Sequence, residues 1–192
     1  SKVLFGTRLH RSWKCKENHL WNARVDHRTG NNSGCPYCSN QKVWNGFNDI
    51  KTKFPEIAKQ ADGWDPSKVL YGSKKRMSWK CLKGHSWDAS VEGRTGRDKT
   101  GCPFCANKKV WTGFNDLKTK FPEIAKEADG WDPSIVIAGS GKKMSWKCQK
   151  GHKWKAILSN RTFSGYGCPK CAQYGFNPDK NAWFYLMERT ED

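Results

Sequence analysis

Twelve residues of this chain have the chemistry of metal ligands, and they recur as three sets of four. The first set is Cys15, His19, Cys35 and Cys38, the second Cys81, His85, Cys102 and Cys105, and the third Cys148, His152, Cys168 and Cys171. Each is a Cys and a His four positions apart, then a Cys-x-x-Cys pair after a hairpin-sized gap. Three thiolates and one imidazole are the donor set of a tetrahedral zinc ion. They fill all four positions and leave none for water or substrate, so the expected cofactor is zinc, as three structural ions. A disulfide framework is the alternative for a cysteine-rich chain. Nine cysteines, an odd number, argue against it. So does the His in register with every cysteine group, which disulfides do not require.

The remaining titratable residues form no catalytic set. His10 aligns with Arg76 and Lys143, and His27 with Gly93 and Asn160, so neither belongs to the repeat. No carboxylate pair, phosphate-binding Gly-rich loop or nucleophile beside a base recurs in register. Asp49, Glu56 and Asp65 read as capping or solvated residues. No active site is expected within these 192 residues.

The ligand sets must be held by elements that repeat with them. Before each Cys-His pair a short apolar run (residues 3–5, 69–71 and 135–137) leads through a basic, Gly-containing turn into Ser-Trp-Lys-Cys, which reads as strand, turn and strand. After each His, Trp21, Ala23 and Val25, then Trp87, Ala89 and Val91, then Trp154, Ala156 and Leu158 alternate as in a half-buried strand. These Trp residues, with Trp13, Trp79 and Trp146, either pack in the core over the metal knuckle or stack on bases. The strand is expected to end in Arg28-Thr29, Arg94-Thr95 and Arg161-Thr162, ahead of a loop of variable length that marks an exposed hairpin tip. At such a tip the guanidinium either bonds nearby carbonyls or contacts phosphate and guanine.

Two linkers, residues 42–67 and 109–134, differ at only three positions. Asn48 and Asn115 are candidate N-caps, and Ile50, Phe54, Ile57, Ala58 and Ala61 recur at helical spacing. Pro55 and Pro122 predict a kink or two short pieces, and Gly63 and Gly130 an end. Trp44 and Trp111 either pack under this helix or, with Lys42, Lys108 and Lys109, follow a phosphate backbone. The fold class is therefore small zinc-bound α+β modules: three zinc-ribbon-like β-hairpin units joined by amphipathic, kinked helical linkers. The expected division is a first repeat at 1–41, linker plus second repeat at 42–108, linker plus third repeat at 109–174, and, at 175–192, a linker and the start of a further domain, with residues 183–187 as its first strand. The first residue already lies inside a repeat.

Units of about 65 residues have marginal cores, which a metal completes. The formal charge is +17. Nine thiolates and three zinc ions contribute −9 and +6 and leave about +14, which favours a polyanionic partner. Reduced cysteines, with no signal peptide or membrane-length apolar run, point to an intracellular location, cytoplasmic or nucleoid-associated, and to no membrane partner.

The pattern Trp-Lys-Cys, Gly-His-x-Trp, Arg-Thr and Gly-Cys-Pro-x-Cys, carried here by residues 79–81, 84–87, 94–95 and 101–105 and their counterparts, resembles the zinc-ribbon repeat family. These zinc-ribbon or treble-clef-like arrays often precede nuclease domains such as the GIY-YIG type. The first repeat departs from the pattern with Glu17-Asn18-His19 in place of Lys-Gly-His, and Asn tolerates the left-handed conformation that Gly supplies. The resemblance implies an intracellular nucleic-acid reader with a nuclease domain in cis, and it transfers no catalytic residue.

Double-stranded DNA is the expected partner, with RNA or a protein-interaction role as alternatives. Arg28, Arg94 and Arg161, with Thr29, Thr95 and Thr162, would reach a groove. Lys42, Lys108, Lys109, the basic turns Lys74, Lys75, Arg76 and Lys142, Lys143, and Arg97 would meet phosphates. Three modules end to end would cover on the order of 20 to 25 base pairs at about 3.4 Å each.

Overall fold

The structure is a computed structural model that describes residues 4–172. The backbone divides into two compact units, Ser1–Pro103 and Phe104–Asp192.

The first unit opens with strands β1 (His10–Lys14) and β2 (Leu20–Arg24), paired antiparallel so that Trp13 faces Trp21. Partners directly across an antiparallel ladder share a face, so both indoles lie on one side. The turn between the strands is the Cys15–His19 knuckle. It closes because Asn18 adopts φ 62°, the left-handed region where Gly84 and Gly151 stand in the other copies at φ 82° and 81°. Helix α1 (Val25–Thr29) follows directly. The same hairpin and helix recur as β3 (Arg76–Lys80), β4 (Ser86–Ser90) and α4 (Val91–Thr95).

Between the two hairpins runs the linker, as α2 (Ile50–Lys53) and α3 (Pro55–Ala58). The break comes where Pro55 removes an amide donor and stands as the first residue of the second piece. Gly63 ends the segment at φ 77°. Ile50, Trp79 and Val91 have no exposed surface and form the centre of this unit.

The second unit repeats the arrangement with α5 (Leu117–Lys120), α6 (Pro122–Ala125), β5 (Lys143–Lys147), β6 (Lys153–Ile157) and α7 (Leu158–Thr162). Its core joins Leu117 and Ala125 of the linker to Ala138, Trp146 and Leu158 of the hairpin.

Three sequence expectations change. The apolar runs are not full strands: residues 69–71 and 135–137 make only isolated bridges, Asp49 to Leu70 and Asp116 to Ile137, because each meets the short linker helix rather than a second strand. Asn48 and Asn115 are not the caps. Asp49 and Asp116 are, accepting from the amides of Thr52 and Thr119 at 2.9 Å. The Arg-Thr pairs do not end a strand at an exposed tip but sit in α1, α4 and α7, which turn the chain back onto the hairpin. The anticipated strand at 183–187 lies outside the described residues. Among those residues, no helix is long and apolar enough to cross a membrane.

Candidate metal centres and basic surface

In each of the three sets, the knuckle supplies one Cys and the His, and the turn after α1, α4 or α7 supplies the Cys pair. The four ligand atoms of each set lie within 4.8 Å of one another. In the first set Cys15 Sγ is 3.7 Å from Cys38 Sγ, and His19 Nδ1 is 3.4, 3.6 and 3.3 Å from the sulfurs of Cys15, Cys35 and Cys38. His85 Nδ1 lies 3.5 Å from Cys81 and 3.7 Å from Cys102. Cys148 and Cys171 are 3.7 Å apart, with His152 Nδ1 at 3.2 Å from Cys171 and 3.7 Å from Cys168. A tetrahedron with Zn–S near 2.3 Å and Zn–N near 2.05 Å has edges of about 3.8 Å (S to S) and about 3.6 Å (S to N). These separations fit that ion and are far from the roughly 2.05 Å of a disulfide. None of the nine cysteines is joined in a disulfide.

The electrostatics of the sets also call for a cation. Burial, then hydrogen bonds and charge from neighbouring thiols, push Cys38 up to about 12 and Cys171 up to about 11. Burial raises Cys15 and Cys148 too, but backbone hydrogen bonds from His19 and Glu17, and from His152 and Lys150, together with neighbouring thiols, bring them below the ordinary thiol value. Amides aimed at one sulfur, beside thiols that cannot ionise together, suit a site in which a divalent ion supplies the missing charge. Three thiolates and an imidazole around zinc hold a structural ion, with no position left open.

Around the first site the aromatic residues are structural. The His19 ring is 2 % exposed and packs against Tyr37, Trp44 and Phe47 at 5.5, 4.9 and 4.4 Å between centroids. Asn48 braces this turn: it takes the Trp44 amide on Oδ1 at 2.6 Å and gives Nδ2 hydrogens to the carbonyls of Tyr37 and Lys42 at 2.9 and 3.0 Å. Asn115 does the same for Trp111, Phe104 and Lys109.

The three Arg residues are also brought inside. Arg94 is 4 % and Arg161 6 % exposed, and Arg28 is half-buried. Each guanidinium lies over both indoles of its own hairpin. Arg94 stands 4.9 Å from Trp79 and 5.3 Å from Trp87, Arg161 4.9 and 5.1 Å from Trp146 and Trp154, and Arg28 4.9 and 5.5 Å from Trp13 and Trp21. One Nη of each donates to a carbonyl of the following loop, of Ser33, Thr100 or Tyr166. The other Nη of Arg94 donates to Gln60 Oε1 at 2.5 Å, and that of Arg161 pairs with Glu127. The expectation of an exposed tip is therefore corrected: Arg94 and Arg161, each stacked on two rings with both Nη atoms bonded, are braces, and Arg28 keeps the same stack and loop carbonyl while remaining half-buried. Thr95 and Thr162 return their hydroxyls to the carbonyls of Val91 and Ala138, and Thr95 also accepts from Gly72. Thr29 is exposed, with its hydroxyl on Val25.

Sequence reasoning passed over Gln60 and Glu127. The signal was present, since they occupy one register, 34 residues ahead of Arg94 and Arg161.

Lys42, Lys74, Lys75, Arg76, Arg97, Lys108, Lys109, Lys142 and Lys143 are all exposed. Arg76 also donates to the Asp88 carbonyl at 2.9 Å. Within the second unit, Lys108, Lys109 and Lys142 line a cleft of about 280 Å³ whose apolar wall is Val110 and Ile135, Val136 and Ile137.

The family described as "Probable Treble clef zinc finger domain" matches residues 1–41, 57–108 and 123–174, so each match holds one complete ligand set. The chain belongs to this treble-clef zinc finger family. Two relatives from Escherichia phage T5, each named "Putative endonuclease", are similar to it. One is 30 % identical over 122 residues, which are 61 % of this chain and 48 % of the relative, and the other 24 % identical over 102 residues, 53 % and 34 %. The chain thus spans half or less of the length of these relatives.

Proposed function

We propose that this chain is the targeting region of an endonuclease, a zinc-stabilised array that binds duplex DNA. Its modules are residues 1–41, 42–108 and 109–174, with ligands Cys15, His19, Cys35, Cys38, Cys81, His85, Cys102, Cys105, Cys148, His152, Cys168 and Cys171. The observation that carries this reading is the exposed basic surface: the chain has a formal charge of +17, and Lys42, Lys74, Lys75, Arg76, Arg97, Lys108, Lys109, Lys142 and Lys143 all face solvent. Lysines that flank an apolar cleft suit a sugar-phosphate backbone, because the ammonium meets phosphate and the alkyl stem covers sugar. The names of the two phage relatives support a role beside strand cleavage.

In this reading the work is divided. The three zinc ions, when bound, hold the knuckles and Cys-pair turns together. Arg28, Arg94 and Arg161 lock each hairpin to its loop. Binding of nucleic acid falls to Lys42, Lys74, Lys75, Arg76, Arg97, Lys108, Lys109, Lys142 and Lys143. Hydrolysis belongs to a nuclease domain in cis.

Competition among labelled duplex DNA, single-stranded DNA and structured RNA for the zinc-loaded chain tests the proposal. Duplex DNA is the preferred ligand if the reading holds. Preference for RNA moves the chain to the RNA-binding alternative, and no binding to any of the three overturns the nucleic-acid reading.

A further inference from the structure

The second and third modules share a frame in which one aromatic ring has moved. In the second, Tyr71 lies against Phe54 at 5.8 Å between centroids, and its hydroxyl accepts from Asn40 Nδ2 at 3.0 Å. Asn40 is oriented by Asn48, whose Nδ2 donates to Asn40 Oδ1 at 3.3 Å. In the third, Phe121, Asn107 and Asn115 hold the corresponding positions, and Asn115 Nδ2 donates to Asn107 Oδ1 at 3.2 Å in the same way. Ala138, however, stands in the register of Tyr71. The aromatic residue comes instead from the loop after α7, where Phe163 takes the register of Gly96.

The exchange does not refill the space. Phe163 meets Phe121 edge-on at 6.2 Å and lies so close to Gly139 that a Cβ there would stand 3.1 Å from its ring, yet it stays 71 % exposed. What remains is a cleft of about 320 Å³, lined by Asn107, Lys120, Phe121, Ile137, Ala138 and Phe163. Its volume falls at the lower end of the range for small-molecule sites. Among the described residues no hydroxyl takes the place of that of Tyr71, so with Oδ1 engaged Asn107 keeps Nδ2 to donate to an occupant. Lys120 is exposed, with its ammonium 5.6 Å over the Phe114 ring.

We propose that this cleft receives one unpaired nucleobase, extruded from the duplex that the basic surface holds; the proposal rests on the duplex-binding reading above. A base is a flat aromatic ring with acceptors along its edge and a phosphate on either side. Those features match, in turn, the exposed ring of Phe163 beside Phe121, the amide of Asn107, and the ammonium of Lys120 on a chain with a formal charge of +17. An apolar side chain from a protein partner would leave the Asn107 amide without an acceptor and gain nothing from the cation. In the second module Tyr71 occupies the corresponding place.

Three otherwise identical duplexes test the proposal against the complete zinc-loaded chain by fluorescence anisotropy: one fully paired, one with a single unpaired thymine, and one with an abasic site in place of that thymine. The abasic duplex keeps the break in the helix and lacks the base. The expected result is affinity about tenfold higher for the unpaired thymine than for the abasic site. Phe163→Ala should abolish that difference. Ala138→Tyr combined with Phe163→Gly, the pair that the second module carries, should abolish it too, while the unfolding midpoint and the affinity for the paired duplex stay as in the wild type. Equal affinity for the thymine and abasic duplexes, with paired-duplex binding intact, would overturn the proposal and leave the targeting reading standing. A thymine preference that persists in the double variant would overturn the assignment to this cleft, and no binding to any of the three duplexes would overturn both readings.

Discussion

Replacing Arg94 by Ala removes a guanidinium that is 4 % exposed, stacked on Trp79 and Trp87, and bonded to Thr100 O and Gln60 Oε1. A hydrogen bond from a charged donor contributes about 1.5–3 kcal/mol, and a desolvated cation on an aromatic face about 2 kcal/mol. Two of each amount to roughly 7–10 kcal/mol gross, of which desolvation of the guanidinium cancels several. The net loss should be about 3–4 kcal/mol once that desolvation is taken off, because the Thr100 carbonyl and the Gln60 amide are left without their donor. For a module of this size that lowers the melting temperature by more than about 10 °C.

The assay is denaturant unfolding of the zinc-loaded chain, with far-UV circular dichroism and Trp fluorescence as readouts. Arg94→Lys should lose about 2 kcal/mol, because an ammonium cannot keep both Nη bonds or the planar stack. Duplex affinity measured well below the transition should change little for either variant. An unchanged unfolding midpoint with a large fall in DNA affinity would refute this reasoning and make the guanidinium a nucleic-acid ligand.

Other perturbations test the remaining parts. Chelation should unfold the hairpins cooperatively, and three equivalents of zinc should restore them; because the ion must displace protons from thiols that burial holds up to about 12 and 11, zinc release should increase as pH falls, measured with a chromogenic chelator. Asp49→Ala and Asp116→Ala should each cost about 1 kcal/mol as N-cap deletions, by denaturant titration. Burial opposes ionisation of both carboxyls, but the bonds from Thr52 and Gly46, and from Thr119 and Gly113, outweigh it and lower both. A depressed carboxyl stabilises the fold at neutral pH and stops doing so as pH falls from about 4 through the lower folded value, so the wild-type advantage over either variant should vanish in acid. Combined Lys108→Ala, Lys109→Ala and Lys142→Ala should leave unfolding unchanged while reducing the salt dependence of duplex binding by about 0.9 for each phosphate no longer neutralised.

The ligand sets were legible because residue type and spacing carry their chemistry directly: a Cys four positions before a His, with a Cys pair across a hairpin, has few other uses. The broken linker helix was legible for the same local reason, since Pro55 cannot donate its amide. The Arg residues were not. An Arg before a loop of variable length fits a solvent-facing role as well as a brace, and the choice depends on two indoles made neighbours by strand register and on Gln60 or Glu127 arriving from the linker. Asn48 and Asp49 illustrate the same limit on a smaller scale. Both suit a cap, and only the turn after the Cys pair, with three groups that Asn48 satisfies at once, assigns the cap to Asp49.

In the proposed function, zinc-braced modules present lysine and arginine to duplex DNA. The most direct measurement is duplex affinity of the zinc-loaded chain as a function of salt, repeated after chelation. The expected result is a steep linear fall of log affinity with log salt when zinc is bound, and loss of the preference for duplex over single strands when it is removed. Affinity indifferent to salt, or a duplex preference that survives chelation and unfolding of the hairpins, would contradict it.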